Sequence, residues 1–588
     1  MIVRNEAHIV DEVLEAVAPY ISSWVIVDTG SDDGTQDAIR TRMHELGIPG
    51  ELHERPWRNF GHNRSEALVL AQGHGDYIWV MDADDTIVGT PDFSGLTSDV
   101  YMLRYGAEFS YWRRQLFRDG VRWRYEGVVH EYAVCDDPAD EERLEGDYFI
   151  ESRRLGGRNL DPEKYARDRD LLLAEVERNP GDSRSVFYLA QSYFDLGDFA
   201  GAREWYARRV DMGGWDEEIY YALYRVAESM SLLNAPWPDV QDAYLRAWEA
   251  RPTRAEPLHA IARRYRIDQR YQLGYLFAER AADIPLPTDD ALFVGADIYA
   301  WRALDEQAIC AYWIGKHLEA LALCRRLLSD DAVPEDERGR IAANRDYSVP
   351  ALRQAAASYP DVLAARLVVG IRDAEVTLSV IFGPDRMRGE RTLNSFLRCC
   401  VDVPRVGRFL AVDVGLAPGD RAELEARYPF LEFIAVPDGT AVLAAVRRRV
   451  GGRFWLHIGD GWEFFAPERL IARLTAVLEA EPGAVQAGIN LDDATALTGR
   501  CASAGEVRRS ADGGRYVIVA APSAGPSLFE LARLDRVDGA GVGSDGSAGA
   551  VARRMVEAGM CAATLDEVLC VRPDGEEYGD GRDLRSGA

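Results

Sequence analysis

Short apolar runs alternate with helical patterns through the first 155 residues. Trp24-Val-Ile-Val-Asp28 reads as a strand, Thr35 to Leu46 as a helix, and Tyr77-Ile-Trp-Val-Met81 as another strand. Strand, helix, strand in that order predicts an α/β domain with a mainly parallel sheet. From about residue 160 to 348 the strand signals vanish, and helical patterns recur with small residues at fixed offsets. Ala190, Tyr193, Gly197, Phe199, Ala202 and Tyr206 form one set, and Ala262, Tyr265, Tyr271, Gly274, Ala278 and Ala281 take up the register 72 residues later.

A tetratricopeptide repeat places its small and aromatic packing residues at such offsets, and 72 residues is two repeats of about the usual length. Ala308, Gly315, Ala320 and Cys324 give another copy, and Ala243, Ala247 and Ala250 before Pro252 fit a copy lengthened around Pro236-Trp237-Pro238. The segment resembles a tetratricopeptide-type solenoid of four helix pairs. The plainer alternative is an irregular helical bundle, because Ala and Tyr at helical spacing also pack ordinary cores. Near residue 350 strands return, with Val376–Phe382, Phe409–Asp413, Leu431 to Val436 and Phe454–Ile458. The expected plan is an α/β domain over 1–155, helical repeats over 160–348, a second α/β domain over 374–572 and a polar, Gly-rich, flexible tail over 573–588.

Length and composition agree with several domains. At ~150 residues per domain, 588 residues make three or four. A hydrophobic share of 47% excludes wholesale disorder. The net charge of −29, spread along the chain, repels nucleic acid and anionic membranes, so neither is expected as a partner. Lys164 and Lys316 are the only lysines, which reflects the codon bias of a GC-rich, bacterial genome and not function. The eight cysteines form no CxxC pair and no Cys/His array with zinc spacing, as expected of reduced thiols in a cytoplasm. No apolar run of ~18 residues and no signal-peptide pattern is present, so a soluble, cytoplasmic protein without a transmembrane segment is expected.

The chemistry gathers in the first domain. Met81-Asp-Ala-Asp-Asp85 follows an apolar strand, and two carboxylates two residues apart there suit Mg²⁺ or Mn²⁺ carrying a diphosphate. Alone the cluster is weak evidence, since Asp after a strand also makes turns and helix caps. Three more motifs accompany it: Val3-Arg-Asn-Glu6, Val27-Asp-Thr-Gly-Ser-Asp-Asp-Gly-Thr35, and Phe60-Gly-His-Asn-Arg-Ser-Glu-Ala67. In an open parallel sheet the carboxyl ends of the strands form the ligand crevice, so these motifs should converge. Asp28 can accept from a nucleobase or ribose, and Arg64 can stack on or hydrogen-bond the base. His62 reads as a helix-start residue and not as a catalyst.

Together MIVRNE (1–6), VIVDTGSDDGTQD (25–37), FGHNRSEAL (60–68), VMDADD (80–85) and EGVVHEY (126–132) resemble a family 2 glycosyltransferase of the GT-A fold. The resemblance implies a nucleotide-sugar donor, UDP-sugars being favoured, a divalent metal (Mn²⁺ or Mg²⁺), and transfer with inversion at the anomeric carbon. By motif position Glu6, Asp28, Arg64 and Asp82 hold the donor, with Asp82 and Asp84 at the diphosphate and metal. His130 follows Asp84 by 46 residues. Inverting transfer needs a base beside the acceptor. Glu131 is expected in that role with His130 as metal ligand or diphosphate donor, and the two roles can be exchanged because neutral His is also a competent base. The plain alternative is that both merely stabilise a loop. Arg113, Arg114, Arg118, Arg122 and Arg124 fit either phosphate or acidic-acceptor binding or surface ion pairing. The chain opens directly at Met1-Ile-Val, where relatives carry a few more residues in the first strand. Either the strand is short or the start is late, and a late start would threaten the sheet.

The second α/β domain looks like a degenerate copy of the first. Asp413 follows a strand as Asp28 does, and Asp460 lies 47 residues beyond it, against 54 between Asp28 and Asp82. Gly459 and Gly461 flank that lone acid, and no Arg-Asn-Glu or His-Glu counterpart accompanies it. A structural or acceptor-binding role is therefore expected. Helical repeats commonly bind a peptide or another protein on a concave face. The leading expectation is a metal-dependent inverting glycosyltransferase with a hydroxyl or thiol acceptor, the repeats favouring a peptide or protein over a saccharide. The alternatives are a non-catalytic nucleotide-sugar-binding scaffold that recruits partners through its repeats, and a nucleotidyltransferase. The first has no need of Asp82, Asp84 and Glu131 together, and the second lacks its phosphate loop.

Overall fold

The computed structural model describes residues 1–106, 111–137, 139–153, 155–156, 163–369, 375–436, 442–491, 507–519, 522–523, 525–538, 554–555 and 557–573. The chain forms two compact units, one of Met1–Pro257 with Pro287–Val294, the other of Leu258–Leu286 with Gly295–Ala588.

The first unit begins with three parallel strands in the order β1-β2-β3 (Ile2–Val3, Trp24–Asp28, Gly50–Glu54), linked by helices α1 (Val10–Val17) and α2 (Thr35–Leu46). Helix α1 forms because Val10, Val13, Leu14 and Val17 share one face, and all four are buried against the sheet. Helix α2 stops at Gly47, whose φ of +69° suits a left-handed cap. Helix α3 (Phe60–Ala71) is capped by Asn59, whose side chain accepts from the His62 N–H at 2.7 Å.

Eight further strands follow: β4 (Tyr77–Trp79), β5 (Asp85–Gly89), β6 (Val100–Tyr105), β7 (Tyr111–Arg118), β8 (Trp123–Glu126), β9 (Tyr132–Cys135), β10 (Glu141–Arg143) and β11 (Tyr148–Ser152). They make a second sheet in the order β4-β7-β6-β11-β5, with β10 beside β6, and a separate β8-β9 hairpin. The expectation of a mainly parallel sheet therefore needs correction, because the pairs β4-β7, β6-β7 and β5-β11 are antiparallel. Only five residues separate β6 from β7, too few for the crossover of a dozen or more that a parallel pair requires.

Helices α4 (Lys164–Arg178), α5 (Ser183–Asp195), α6 (Phe199–Asp211), α7 (Asp216–Leu232) and α8 (Trp237–Ala250) complete this unit, and α9 (Glu256–Ile267) runs on into the second. The copy read at Ala190–Tyr206 falls on α5 and α6, and the lengthened copy falls on α7 and α8. Ala190, Ala202, Tyr206 and Ala247 are all fully buried. Val128 and Val129, between β8 and β9, share a core with Leu172 of α4 and Val186 and Phe187 of α5. The loop that carries His130 and Glu131 is thereby fixed to the helices as well as to the sheet.

The second unit continues through α10 (Tyr271–Ala282), α11 (Ala303–Trp313), α12 (His317–Leu328), α13 (Glu335–Tyr347), α14 (Val349–Ala356) and α15 (Asp361–Val369). The remaining two copies fall on α9 with α10 and on α11 with α12. Gly274 lets α10 approach α11, since a Cβ there would stand 2.7 Å from the Cys310 Sγ.

An α/β domain follows, with β12 (Val376–Phe382), α16 (Arg386–Cys399), β13 (Val406–Asp413), α17 (Pro418–Arg427), β14 (Leu431–Ala435), α18 (Val442–Arg447), β15 (Phe454–Ile458), β16 (Glu463–Phe464), α19 (Leu470–Ala480), β17 (Ala484–Gly488), β18 (Arg508–Arg509), β19 (Arg515–Val519), β20 (Ser527–Glu530), α20 (Leu531–Asp538), β21 (Cys561–Leu565) and β22 (Cys570–Val571). Nine strands form one sheet in the order β14-β13-β12-β15-β20-β17-β21-β19-β18. Its leading strands β14-β13-β12 are parallel, as β3-β2-β1 are. Asp413 repeats the turn of Asp28. Its Oδ1 accepts from the N–H groups of Gly415 (3.1 Å) and Leu416 (2.9 Å), as Asp28 Oδ1 does from those of Gly30 (2.9 Å) and Ser31 (3.0 Å). The tail expected over 573–588 lies outside the described residues from 574 onward. Among the described residues no helix is long and apolar enough to cross a membrane, and the seven described cysteines are unpaired.

His457 of β15 is buried, its Nδ1 2.8 Å from the Ser379 Oγ. Burial lowers its imidazole to about 4. Between the ordinary value of about 6.5 and that value the unfolded chain binds a proton that the folded chain refuses, so stability falls as pH drops through this window. Urea melts at pH 7 and pH 5 are expected to show a loss of about 2 kcal/mol from this group, absent in His457→Gln; equal pH slopes for the two proteins would contradict it.

Candidate functional site

Strand β1 ends beside β2, and the chain then turns through Asn5, which sits in the left-handed region at φ +58°. Its carboxamide accepts from Asp32 N–H at 2.9 Å, and Glu6 N–H donates to Thr35 Oγ1 at 2.8 Å. Glu6 is thus fixed over the end of the parallel strands. Asp82 and Asp84 follow β4. Asp84 Oδ2 accepts from Gly156 N–H at 3.1 Å, and a Cβ on Gly156 would lie 3.3 Å from Glu6 Oε1 and 3.4 Å from Asp84 Oδ2. A residue without a side chain therefore lets the two carboxylates share one corner.

The β8-β9 loop is placed from below by α3. Phe60 and Gly61 N–H groups donate to the carbonyls of Val128 and Gly127, both at 3.2 Å. A Cβ on Gly61 would come within 2.4 Å of the Gly127 oxygen, so only glycine permits this approach. The loop reverses through Gly127 (φ +104°) and His130 (φ +53°). A histidine at positive φ stores local strain, which is common where function requires a fixed side chain. The His130 ring lies flat against Tyr188 of α5, centroids 3.9 Å apart and planes 9° from parallel.

Arg64 of α3 joins the two halves. Its Nη2 donates to Asp82 Oδ1 and its Nε to Glu131 Oε1, each at 2.5 Å. Burial alone would raise the Asp82 carboxyl, but the guanidiniums of Arg64 and Arg113 outweigh it and hold the group at about 2. Asp85 behaves oppositely: burial and the charge of Asp82 push it up to about 7. Its Oδ2 accepts from the Tyr105 hydroxyl at 3.0 Å. Glu131 Oε2 has no partner among the described residues.

Glu6, Arg64, Asp82, Asp84, His130 and Glu131 line one cavity of about 890 Å³. Asp28 does not line it. Its Oδ1 also accepts from Gln36 Nε2 at 3.0 Å, while Oδ2 is buried with no partner among the described residues. Of the five arginines read either as binders of phosphate or an acidic acceptor or as surface ion-pair partners, Arg113 lines the cavity 3.8 Å from Asp82, and Arg114 lines it while pairing with Glu141. Arg118 and Arg124 instead pair with Asp99 and with Glu126 and Asp136. Carboxylate oxygens suit a hard divalent cation, although Asp82 faces the two guanidiniums and no group of three or more His, Cys, Asp or Glu converges among the described residues. Several lining residues carry no signature in the sequence. Arg184, Tyr188 and Gln191 of α5, Lys164 of α4 and Phe293 belong to the cavity wall, yet Tyr188 reads as ordinary repeat packing and Phe293 as part of a connection.

Residues 1–89 match the model of the family described as glycosyl transferase family 2, which supports a glycosyltransferase domain at this end of the chain. No curated protein matches the sequence. Among solved structures, MamA is similar at 15% identity and a TM-score of 0.23 over 27% of this chain and 84% of that one. YrrB, described as a TPR protein with an unusual peptide-binding site, is similar at 15% identity and a TM-score of 0.24 over 31% of this chain and 90% of that one. At such scores these likenesses carry no argument about the helices.

Proposed function

We propose, taking the glycosyltransferase match of residues 1–89 as premise, that the first unit is an inverting, metal-dependent transferase that moves a sugar from a nucleoside diphosphate to an acceptor hydroxyl or thiol. One observation carries the reading: Arg64 ties Asp82 of one motif to Glu131 of another, in a cavity that also holds Glu6, Asp84 and His130.

Each residue has a task there. Glu131 is the base, because Oε1 is anchored by Arg64 while Oε2 is left to take a proton. The acceptor oxygen or sulfur gives that proton to Oε2 as its bond to the anomeric carbon forms. The bond from that carbon to the diphosphate oxygen breaks, its electron pair leaves with the diphosphate, and the configuration inverts. Arg64 and Arg113 offset the departing negative charge. His130, pressed on Tyr188, orients the loop. Asp84 and Asp82 would hold a Mn²⁺ or Mg²⁺ ion, which supplies further charge neutralisation at the diphosphate. Asp28, with its spare buried oxygen, is assigned to the nucleoside. In the C-terminal domain Asp460 stands 3.2 Å from Arg388 and is the lone acid at its strand end. That domain is assigned no catalytic step.

Calorimetric titration of the full chain with UDP, GDP and dTDP, with and without Mn²⁺, tests the reading. The expected result is metal-dependent binding of one nucleotide, UDP foremost, lost in the double variant Asp82→Ala/Asp84→Ala. Binding of none would favour the scaffold reading instead.

A further inference from the structure

Part of the cavity wall comes from outside the α/β domain. Phe293 belongs to Pro287–Val294, a segment that joins the first unit although the residues flanking it belong to the second. Its backbone is in the left-handed region at φ +44°, and the residue is 45% exposed. Neither suits a bulky apolar residue, and such a conformation persists only when its surroundings over-determine it.

Here they do. Glu217 Oε2 accepts from the N–H groups of Ala291 (2.8 Å) and Leu292 (2.7 Å). Arg254, only 1% exposed, donates to the carbonyls of Leu292 (3.2 Å) and Phe293 (2.9 Å) and to Asp290 (3.2 Å). Arg251 adds a second guanidinium to Asp290 at 2.7 Å. The phenyl ring leans on Tyr221, centroids 4.8 Å apart. Four buried or half-buried charged side chains thus hold one exposed aromatic ring at the cavity. In the same wall Gln191 presents a carboxamide whose Oε1 is buried and has no partner among the described residues, a state that costs stability until a donor arrives.

We propose that Phe293 and Gln191 form the acceptor subsite and that the acceptor is a saccharide; the inference rests on the transfer reading above. A pyranose has an apolar C–H face to lay on the phenyl ring and a rim of hydroxyls, one to donate to Gln191 Oε1 and another to meet Glu131. An aromatic face beside a few fixed polar groups is the usual make-up of a small-molecule subsite, and a sugar ring satisfies both parts at once.

Saturation-transfer NMR of the full chain with UDP and methyl glycosides of glucose, galactose, mannose, N-acetylglucosamine and rhamnose tests this. At least one glycoside is expected to receive saturation at its ring C–H protons. Phe293→Gly should weaken that glycoside tenfold or more and Gln191→Leu fivefold or more, with UDP affinity changed less than twofold. Glycine also accepts the positive φ, so the melting temperature should hold. UDP binding with no glycoside detected, transfer to peptides alone, or glycoside affinity indifferent to Phe293→Gly would overturn the proposal. Absence of UDP binding is a different result and would remove the transfer reading itself.

Discussion

Glu131→Gln is expected to lower sugar transfer by about 10²–10⁴-fold while leaving UDP affinity within a few-fold of the native chain. Glutamine keeps the shape of the side chain and a carbonyl oxygen for Arg64 Nε, so the loop should stay in place. What it loses is the capacity to take the acceptor proton. The comparison that decides the assignment is His130→Ala. Its ring is engaged with Tyr188, so its loss should loosen the loop and cost less. Single-turnover transfer from a radiolabelled donor, measured for both variants, gives the answer. A nearly active Glu131→Gln beside an inert His130→Ala would exchange the two roles.

Arg64→Met should destabilise the first unit more than any other single change at the site. The guanidinium is 9% exposed, and its partners Asp82 and Glu131 are 27% and 10% exposed. Removing one member of a buried pair leaves the opposite charge uncompensated, at a cost of about 3–5 kcal/mol, with the lower end expected because Asp82 retains some water. The loss should also depend on pH. In the native chain Asp82 sits at about 2, below its ordinary value, so its contribution is present above about 4 and fades as pH falls towards 2. The gap in urea midpoint between Arg64→Met and the native chain should therefore be widest near neutrality and narrow in acid. Arg64→Lys should recover part of the stability but not the fork that reaches two carboxylates at once. Midpoints within experimental error at pH 7 would rule this out.

Much of the site is legible in the amino-acid sequence because strand ends announce themselves. An apolar run closed by Asp, as at Asp28, Asp82 and Asp413, marks a strand and the carboxyl end at which it stops. The helix pairs are legible for a similar reason: Ala190, Ala202 and Ala262 recur at fixed offsets, and all three are fully buried. Strand direction is not, since Val100–Tyr105 and Tyr111–Arg118 read equally well in either orientation and only the short link between them decides. The contribution of Arg64 to two motifs is hidden because its two partners lie 18 and 67 positions away from it. Phe293 is illegible in principle: its place depends on Glu217, Arg251 and Arg254, none of them near it in sequence.

The segment Pro287–Val294 sets an order of events during synthesis. Some thirty residues that belong elsewhere separate it from the rest of its unit, so the nascent chain leaves the ribosome with Glu217 and Arg254 already made and the backbone groups they hold still to come. Until residue 294 emerges, Arg254 has its ion pair with Glu256, but Glu217 and Arg254 still await the backbone groups of residues 291–293 that complete their set. A fragment ended at residue 257 would lack that segment, and the same interruption ties completion of the first unit to the chain that lies beyond it.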